Sequence, residues 1–248
     1  MTAAPVRTTC PYCGVGCGVL ATPDGKGGLA IAGDPDHPAN RGRLCVKGAA
    51  LGETLGLSHR LLTPLVGGQP AGWDAALDQV AGRFAETITR HGPDSVAFYV
   101  SGQLLTEDYY VANKLMKGFI GSANIDTNSR LCMASAVAGH RRAFGSDTVP
   151  GIYDDLELAD LVVLVGSNLA WCHPVLHQRL AAAKTARPGL KVVVIDPRRT
   201  ATCDIADLHL PIAPGSDAAL FNLLLAEIAR RDALSPAFLG HVTGLDAA

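Results

Sequence analysis

Three closely spaced cysteines constrain this chain more than any other feature of its sequence. Cys10, Cys13 and Cys17 lie in "CPYCGVGCG" with C-x2-C-x3-C spacing, and the next cysteine is Cys45 in "GRLCVKG". A disulfide framework fits poorly, because the 248 residues hold an odd number of cysteines, seven. Disulfide-stapled domains are small and dense in cysteine. The spacing therefore indicates a metal-binding loop.

The arrangement of these thiols favours an iron–sulfur cluster. Three soft ligands in one glycine-rich loop and a fourth at a distance suit a [4Fe–4S] cube, in which each iron takes one thiolate. Structural zinc sites more often pair two short hooks of two ligands each. At this point zinc and unliganded thiols remain as alternatives.

The composition narrows the classes of partner. A formal net charge of -2 predicts neither a nucleic-acid surface nor a polybasic membrane patch. No apolar stretch is long enough to span a bilayer. The first residues, "MTAAPVRT", lack both the apolar core of a secretory signal and a twin arginine. We therefore expect a cytoplasmic protein without a nucleic-acid or membrane partner.

Residue patterns predict two regions, 1–63 and 64–248. In the first, the short alternating runs "GVLAT" and "LAIAG" predict small strands around the cysteine loop. In the second, apolar runs alternate with stretches of helical periodicity, which is typical of a mostly parallel sheet covered on both faces by helices, an α/β fold. The predicted strands are 95–100, 161–165, 190–195 and a run within "ADLHLPIAPGSD", and the predicted helices are Trp73 to "HGPD", 106–121, 174–186 and 218–231.

Three polar segments follow predicted strands: 165–172 ("VGSNLAWC"), 196–200 ("DPRRT") and 215–217 (in "PGSD"). The carboxyl ends of parallel strands meet at one edge, where nucleotide-like ligands bind. Any one segment could simply cap a helix, but three at one edge favour a nucleotide-bearing ligand. No G-x-G-x-x-G motif supports a nicotinamide cofactor.

Cys132 lies in "NSRLCMASAVAGH", and we predict that a helix starts at Met133. A helix N-terminus favours the thiolate, which ligates metals. A lone cysteine is nevertheless more often a buried structural residue than a metal ligand. Cys172 and Cys203 have no partner spacing and are interpreted as small apolar residues. The eight histidines form no recognisable ligand pair, so no histidine metal site is expected.

Taken together, "CPYCGVGCG", "GRLCVKG" and "NSRLCMASAVAG" resemble the molybdopterin oxidoreductases of the bis-guanine-dinucleotide type, and most of all their assimilatory nitrate reductases. The resemblance runs over essentially the whole chain. It implies a small N-terminal cluster subdomain followed by a Rossmann-like αβα domain, incomplete relative to the family. The implied cofactors are a [4Fe–4S] cluster and molybdenum-bis(molybdopterin guanine dinucleotide).

The resemblance also implies roles for individual residues. Cys132 would ligate molybdenum, and Lys47 would lie between cluster and pterin, where electrons cross. Gln103 and Asn128 would contact the molybdopterin. The implied cluster ligands are Cys10, Cys13, Cys17 and Cys45. The implied dinucleotide contacts are Val165, Gly166, Ser167, Asn168, Leu169, Ala170, Trp171, Cys172, Asp196, Pro197, Arg198, Arg199, Thr200, Gly215, Ser216 and Asp217.

The residue after Cys132 bears on the substrate. Formate dehydrogenases of this type typically have histidine there, whereas this chain has Met133, which cannot act as an acid or base. The resemblance therefore implies reduction of nitrate to nitrite in nitrogen assimilation, with electrons passing from the cluster to molybdenum. Ferredoxin, flavodoxin or an NAD(P)H-dependent flavoprotein would be the donor.

Two alternatives to nitrate reduction remain: a formate dehydrogenase and a non-catalytic electron-transfer subunit that carries the cluster. The presence of Cys132, Asn128 and the three loops in this chain argues against the electron-transfer subunit. Family members are several times longer than this chain. We therefore expect these 248 residues alone not to hold the full molybdenum cofactor or turn over nitrate.

Overall fold

A computed structural model describes residues 4–244, which form two compact units. The first unit combines the chain up to Leu55 with the chain from Gly151 onward, and the second is Gly56–Pro150. The cysteine segment and the later parallel sheet therefore belong to one unit, although the second unit separates them in sequence. The domain boundary between residues 63 and 64 stays a prediction.

The first unit begins with a three-stranded antiparallel sheet in the order β1-β2-β3, whose strands are β1 Val6–Thr9, β2 Gly18–Pro23 and β3 Leu29–Gly33. The strands predicted from "GVLAT" and "LAIAG" are confirmed as β2 and β3, while β1 was not predicted. Thr9 pairs with Gly18, so the three-cysteine segment is the loop of a hairpin. A short helix, α1 Val46–Ala49, begins after Cys45 and continues as a 3-10 turn, Ala50–Leu55.

The second unit contains a short hairpin, a long helix and a two-stranded parallel sheet. Its elements are β4 Leu65–Val66, β5 Gln69–Pro70, α2 Trp73–His91, β6 Phe98–Val100, α3 Thr106–Asn113, β7 Ile125–Thr127 and α4 Asn128–Phe144. The helix predicted from Trp73 is confirmed, and β6 lies beside β7 with Phe98 opposite Ile125.

Two predicted boundaries in this unit were wrong. The strand predicted over 95–100 starts later, because Pro93–Ser95 forms a 3-10 turn. The helix predicted over 106–121 is confirmed at both ends, since it starts at Thr106 and is closed by Gly121, whose left-handed φ of 83° suits glycine, although Lys114–Ile120 is π-helical. The helix predicted from Met133 begins earlier, at Asn128, because Thr127 caps it by accepting a hydrogen bond from the Ser129 backbone.

The remainder of the first unit is a parallel sheet with helices, in the strand order β10-β9-β8. Its elements are α5 Asp155–Leu158, β8 Leu161–Val165, α6 Leu169–Cys172, α7 Pro174–Ala186, β9 Lys191–Ile195, β10 Leu208–Leu210, α8 Asp217–Arg230 and α9 Pro236–Leu239. A 3-10 turn, Ala201–Ile205, precedes β10. These elements confirm the α/β class.

The core of the first unit lies between this sheet and α7. Alternate residues of β8 are buried, so only one face of this strand is covered and the predicted cover on both faces is not seen there. The central strand β9 instead buries Val192, Val194 and Ile195. Leu180 of α7 packs on these two strands, and so do Cys10, Cys17 and Val19 of the cysteine segment. The cysteine loop is therefore held against the sheet by a shared apolar core. Within residues 4–244, no helix is both long and apolar enough to cross a membrane.

Candidate active site: a cysteine cavity and a strand-edge loop cluster

Four cysteines line one cavity in the first unit: Cys10, Cys13, Cys17 and Cys45. The hairpin of β1 and β2 brings the first three together, since the Cys10 amide donates to the Cys17 carbonyl oxygen at 2.8 Å. Gly16, with φ of 64°, permits the tight return of the loop. Cys45 enters from the start of α1. The structure thus brings together the four residues that the spacing and the resemblance selected.

The electrostatics of this cavity suit a metal cluster. Burial, followed by repulsion from Cys10, Cys13 and Cys45, raises the pKa of Cys17 to about 11. Several thiolates this close together need a compensating positive charge, which iron would supply. Within residues 4–244, no group of three or more His, Cys, Asp or Glu side chains is arranged to hold a single metal ion. The preference for an iron–sulfur cluster over zinc rests on the soft thiol ligands and on their grouping as three in one loop and a fourth at a distance.

Replacing Cys45 with serine should abolish most iron binding, because a hydroxyl is a poor ligand for a soft iron–sulfur centre. Iron and acid-labile sulfide per chain, together with visible absorption, measure this loss. Cys172→Ser is the control, since Cys172 is an exposed thiol that does not line the cavity. Unchanged iron in Cys45→Ser would remove Cys45 from the ligand set.

Lys47 lies in α1 and lines the same cavity as the cysteines. Its ammonium group is 6.0 Å from the centroid of the Tyr12 ring, at the outer limit of a cation–π interaction. A cation in this position would stabilise the negative charge of a thiolate-bound cluster. The structure therefore places Lys47 beside the cysteine cavity, while its position between cluster and pterin stays a prediction.

The three polar segments that follow β8, β9 and β10 lie at the same edge of the parallel sheet, as predicted. The Gly166 amide donates to the Ile195 carbonyl at 2.8 Å, and the Asp196 amide donates to the Leu210 carbonyl at 3.3 Å. These bonds join the end of each strand to its neighbour. The juxtaposition is confirmed, while the binding of a dinucleotide stays a prediction.

Thr202, which sequence reasoning missed, ties two of these segments together. Its buried hydroxyl donates to the Asn168 side-chain oxygen at 3.3 Å and accepts from the Ala170 amide at 3.1 Å. The sequence shows only that a threonine stands two positions after the predicted segment 196–200. That position alone does not reveal Asn168, 34 positions earlier, as its partner. The loop edge is thus preorganised by the protein itself.

The loop edge offers space and donors for a phosphate-bearing ligand. Gly166 and Gly215 adopt φ of 56° and 85°, and no atom lies within 4 Å of where a Cβ would stand. Arg198 and Arg199 are exposed cations. The buried Thr200 hydroxyl has no hydrogen-bond partner among the described residues. Backbone amides, guanidinium groups and an unpaired hydroxyl are donors that a dinucleotide can use.

The side chains of the predicted dinucleotide contacts differ in accessibility. Trp171 is 72% exposed, whereas Leu169 is 6% exposed and packs in the core. Asp196 is buried and accepts a hydrogen bond from the Arg198 amide at 2.8 Å, which shapes its loop. Leu169 therefore has mainly backbone to offer a ligand.

In the second unit, Gln103 and Asn128 belong to neighbouring segments. The Asn128 side-chain oxygen accepts hydrogen bonds from the Gly102 amide at 3.0 Å and the Thr127 hydroxyl at 3.1 Å. A Cβ on Gly102 would stand 2.5 Å from the Ser129 hydroxyl oxygen, so glycine permits this close approach. Asn128 thus anchors the loop that carries Gln103. Their contacts with a pterin stay predictions.

Cys132 is an exposed free thiol in α4, so the alternative of a buried structural cysteine was wrong. Because α4 begins at Asn128, Cys132 lies beyond the first helical turn, and the argument from the helix terminus loses its basis. An open groove on the same helix is lined by Arg130, Met133 and Arg141. The thiol is therefore available to an external metal, on a helix that also carries cationic side chains.

Comparison with known proteins agrees with this geometry. The molybdopterin oxidoreductase family matches residues 60–231, and the molybdopterin oxidoreductase Fe4S4 domain matches residues 4–55. A nitrate reductase of Klebsiella oxytoca is 66% identical over 94% of this chain and 27% of its own length. A periplasmic nitrate reductase of Desulfovibrio desulfuricans is 47% identical over 94% of the chain and 32% of its own.

Among solved structures, acetylene hydratase from Pelobacter acetylenicus matches with a TM-score of 0.79 and 26% identity. The match covers 94% of this chain and 33% of that protein. This chain therefore spans about a quarter to a third of the length of these relatives. The two matched families cover the cysteine cavity, the strand-edge loops and Cys132. The chain belongs to the molybdopterin oxidoreductase family.

Proposed function

We propose that this chain forms the cluster-binding part and a portion of the molybdenum-cofactor site of a nitrate reductase. The observation that carries the proposal is the exposed Cys132 thiol followed by Met133, in a chain 66% identical to a nitrate reductase. The molybdenum cofactor, in the bis(molybdopterin guanine dinucleotide) form, would supply two-electron reduction with removal of one oxygen atom from nitrate.

We assign the residues of this chain different roles at the cluster and at the molybdenum cofactor. Cys10, Cys13, Cys17 and Cys45 would hold the [4Fe–4S] cluster, from which electrons pass toward molybdenum. Lys47 supplies a positive charge at that cavity. Cys132 would ligate molybdenum, Gln103 and Asn128 would contact the molybdopterin, and the strand-edge loops would bind the guanine dinucleotide.

The side chains near Cys132 also bear on the substrate. Met133 cannot exchange protons, which suits a reaction without an acid–base group at that position. Arg130 and Arg141 offer positive charge to an anion. Nitrate and formate are both anions, so charge alone does not choose between them. The likeness to acetylene hydratase likewise leaves the substrate open, because one fold hosts several chemistries.

We further propose a role in nitrogen assimilation in the cytoplasm, with ferredoxin, flavodoxin or an NAD(P)H-dependent flavoprotein as electron donor. The support is the resemblance of "CPYCGVGCG", "GRLCVKG" and "NSRLCMASAVAG" to the assimilatory nitrate reductases. Steady-state nitrite formation with each purified donor tests this choice. A periplasmic location of the protein in fractionated cells would contradict it.

The substrate is tested with the complete cofactor-loaded protein and a viologen dye. We expect nitrite formation from nitrate with reduced viologen, and no reduction of oxidised viologen by formate. Formate oxidation without nitrite formation would favour a formate dehydrogenase. A protein that holds cluster but lacks molybdenum and both activities would favour an electron-transfer subunit.

A further inference from the structure

We infer that Tyr153 is a positioning residue of the cysteine loop, and that residues 151–159 form a latch that fixes this loop to the parallel-sheet part of the first unit. The Tyr153 hydroxyl lies 3.0 Å from the Gly14 carbonyl oxygen and 3.2 Å from the Val15 carbonyl oxygen. It donates its one proton to this pair of acceptors. Both acceptors stand between Cys13 and Cys17.

The cysteine loop needs an external anchor. Gly14 and Gly16 lie within it, and no atom lies within 4 Å of where a Cβ would stand on either glycine. Two glycines in three positions give the loop wide conformational freedom. The bonds from Tyr153 restrict the middle of the loop directly. The Tyr153 side chain also packs against the core that contains Cys10 and Cys17.

The latch is itself held by a buried cation. The Arg179 side chain is fully buried and bonds to Glu157 at 2.5 Å and to Asp154 at 2.6 Å. The remaining guanidinium nitrogen of Arg179, Nη1, donates to the Pro38 and Ala39 carbonyl oxygens, each at 2.8 Å. Arg179 therefore joins α7 and the latch to the chain that precedes Cys45.

A second cation connects the latch to the same segment. Arg41 bonds to Asp154 at 2.7 Å and to Glu157 at 2.9 Å. Asp154 and Glu157 are thus each shared between Arg41 and Arg179. This double anchoring fixes the backbone on either side of Asp154, so that Tyr153 meets the loop at a defined position.

The inference rests on the proposed cluster and adds a specific consequence. Tyr153 donates to loop carbonyls and lies outside the cysteine ligand set. It acts by limiting how far the loop opens. Opening of the loop exposes the bound cluster to water and chelators, so loss of the hydroxyl should make the cluster more labile. A better solvated cluster also changes its reduction potential and its paramagnetic spectrum.

Tyr153→Phe tests the latch in the cluster-loaded protein. We expect about tenfold faster iron release to a chelator, the effect of losing a hydrogen-bonded anchor. We also expect a shifted midpoint potential and an altered electron paramagnetic resonance spectrum of the reduced cluster. Tyr99→Phe is the matched control, because Tyr99 is 74% exposed in the second unit and should leave all three measurements unchanged.

Two further experiments distinguish a failure of the latch from a failure of the cluster assignment. Arg41→Gln removes the exposed anchor but keeps the Tyr153 hydroxyl, and should speed iron release less than Tyr153→Phe. If Tyr153→Phe holds iron and keeps the wild-type release rate, potential and spectrum, the latch is overturned while the cluster stands. If wild-type protein holds no iron after reconstitution, the cluster assignment and the latch both fall.

Discussion

In the complete cofactor-loaded protein, Cys132→Ser should reduce nitrite formation by about a thousandfold or more, the scale of loss when a group that acts on the reacting centre is removed. A serine hydroxyl replaces a soft thiolate that would ligate molybdenum. Iron content should not change, because the four cysteines that line the cavity are untouched. Nitrite assay with reduced viologen and elemental analysis of iron and molybdenum measure these quantities.

The control for this substitution lies in the same helix. Ser135→Ala changes an exposed side chain of α4 and should keep nitrite formation near the wild-type value. Full activity and unchanged molybdenum in Cys132→Ser would exclude Cys132 as the metal ligand. Loss of iron together with activity would show instead that the substitution disturbs the protein more widely.

Arg179→Met should lower the free energy of unfolding by about 2–4 kcal/mol. Removing one partner of a buried ion pair usually costs about 3–5 kcal/mol, because the other charge is left without compensation. Here the cost is reduced, since Asp154 and Glu157 keep 41% and 23% of their side-chain surface exposed and Arg41 still bonds to both. Urea denaturation at constant pH measures the change.

The control is an ion pair of the same kind at the surface. Arg231 bonds to Glu227 at 2.5 Å, with 66% of the Arg231 side chain exposed. Arg231→Met should change the free energy of unfolding by less than about 1 kcal/mol. Equal effects of the two substitutions would contradict the structural importance of burial at Arg179.

Local chemistry predicted most of the fold and the composition of the candidate site. The strands around "LVVLV" and "KVVVI" are apolar and β-branched, and their lengths fit buried strands, so periodicity identified them. The cysteine spacing identified three ligands within one loop because a hairpin brings near neighbours together. The segments after the strands could be placed at one edge because parallel strands share a direction.

Contacts between distant residues were beyond that reasoning. Arg179 lies in a predicted helix, and nothing local shows that its partners include Pro38 and Ala39, about 140 positions earlier. The bond between Thr202 and Asn168 is similarly hidden. The start of α4 was predicted too late, because the capping residue is Thr127, five positions before Cys132. Tertiary partners determine such details, and sequence periodicity carries no record of them.

During translation, the cysteine hairpin is synthesised well before the latch that holds it. Tyr153 lies 139 residues after Gly14, and synthesis proceeds at about 5–20 residues per second. The thiol-bearing hairpin therefore emerges about ten seconds before its anchor exists. In that interval its glycines leave it mobile, so iron delivered to the nascent chain should exchange readily. We expect durable insertion of the metal only after translation has passed Arg179.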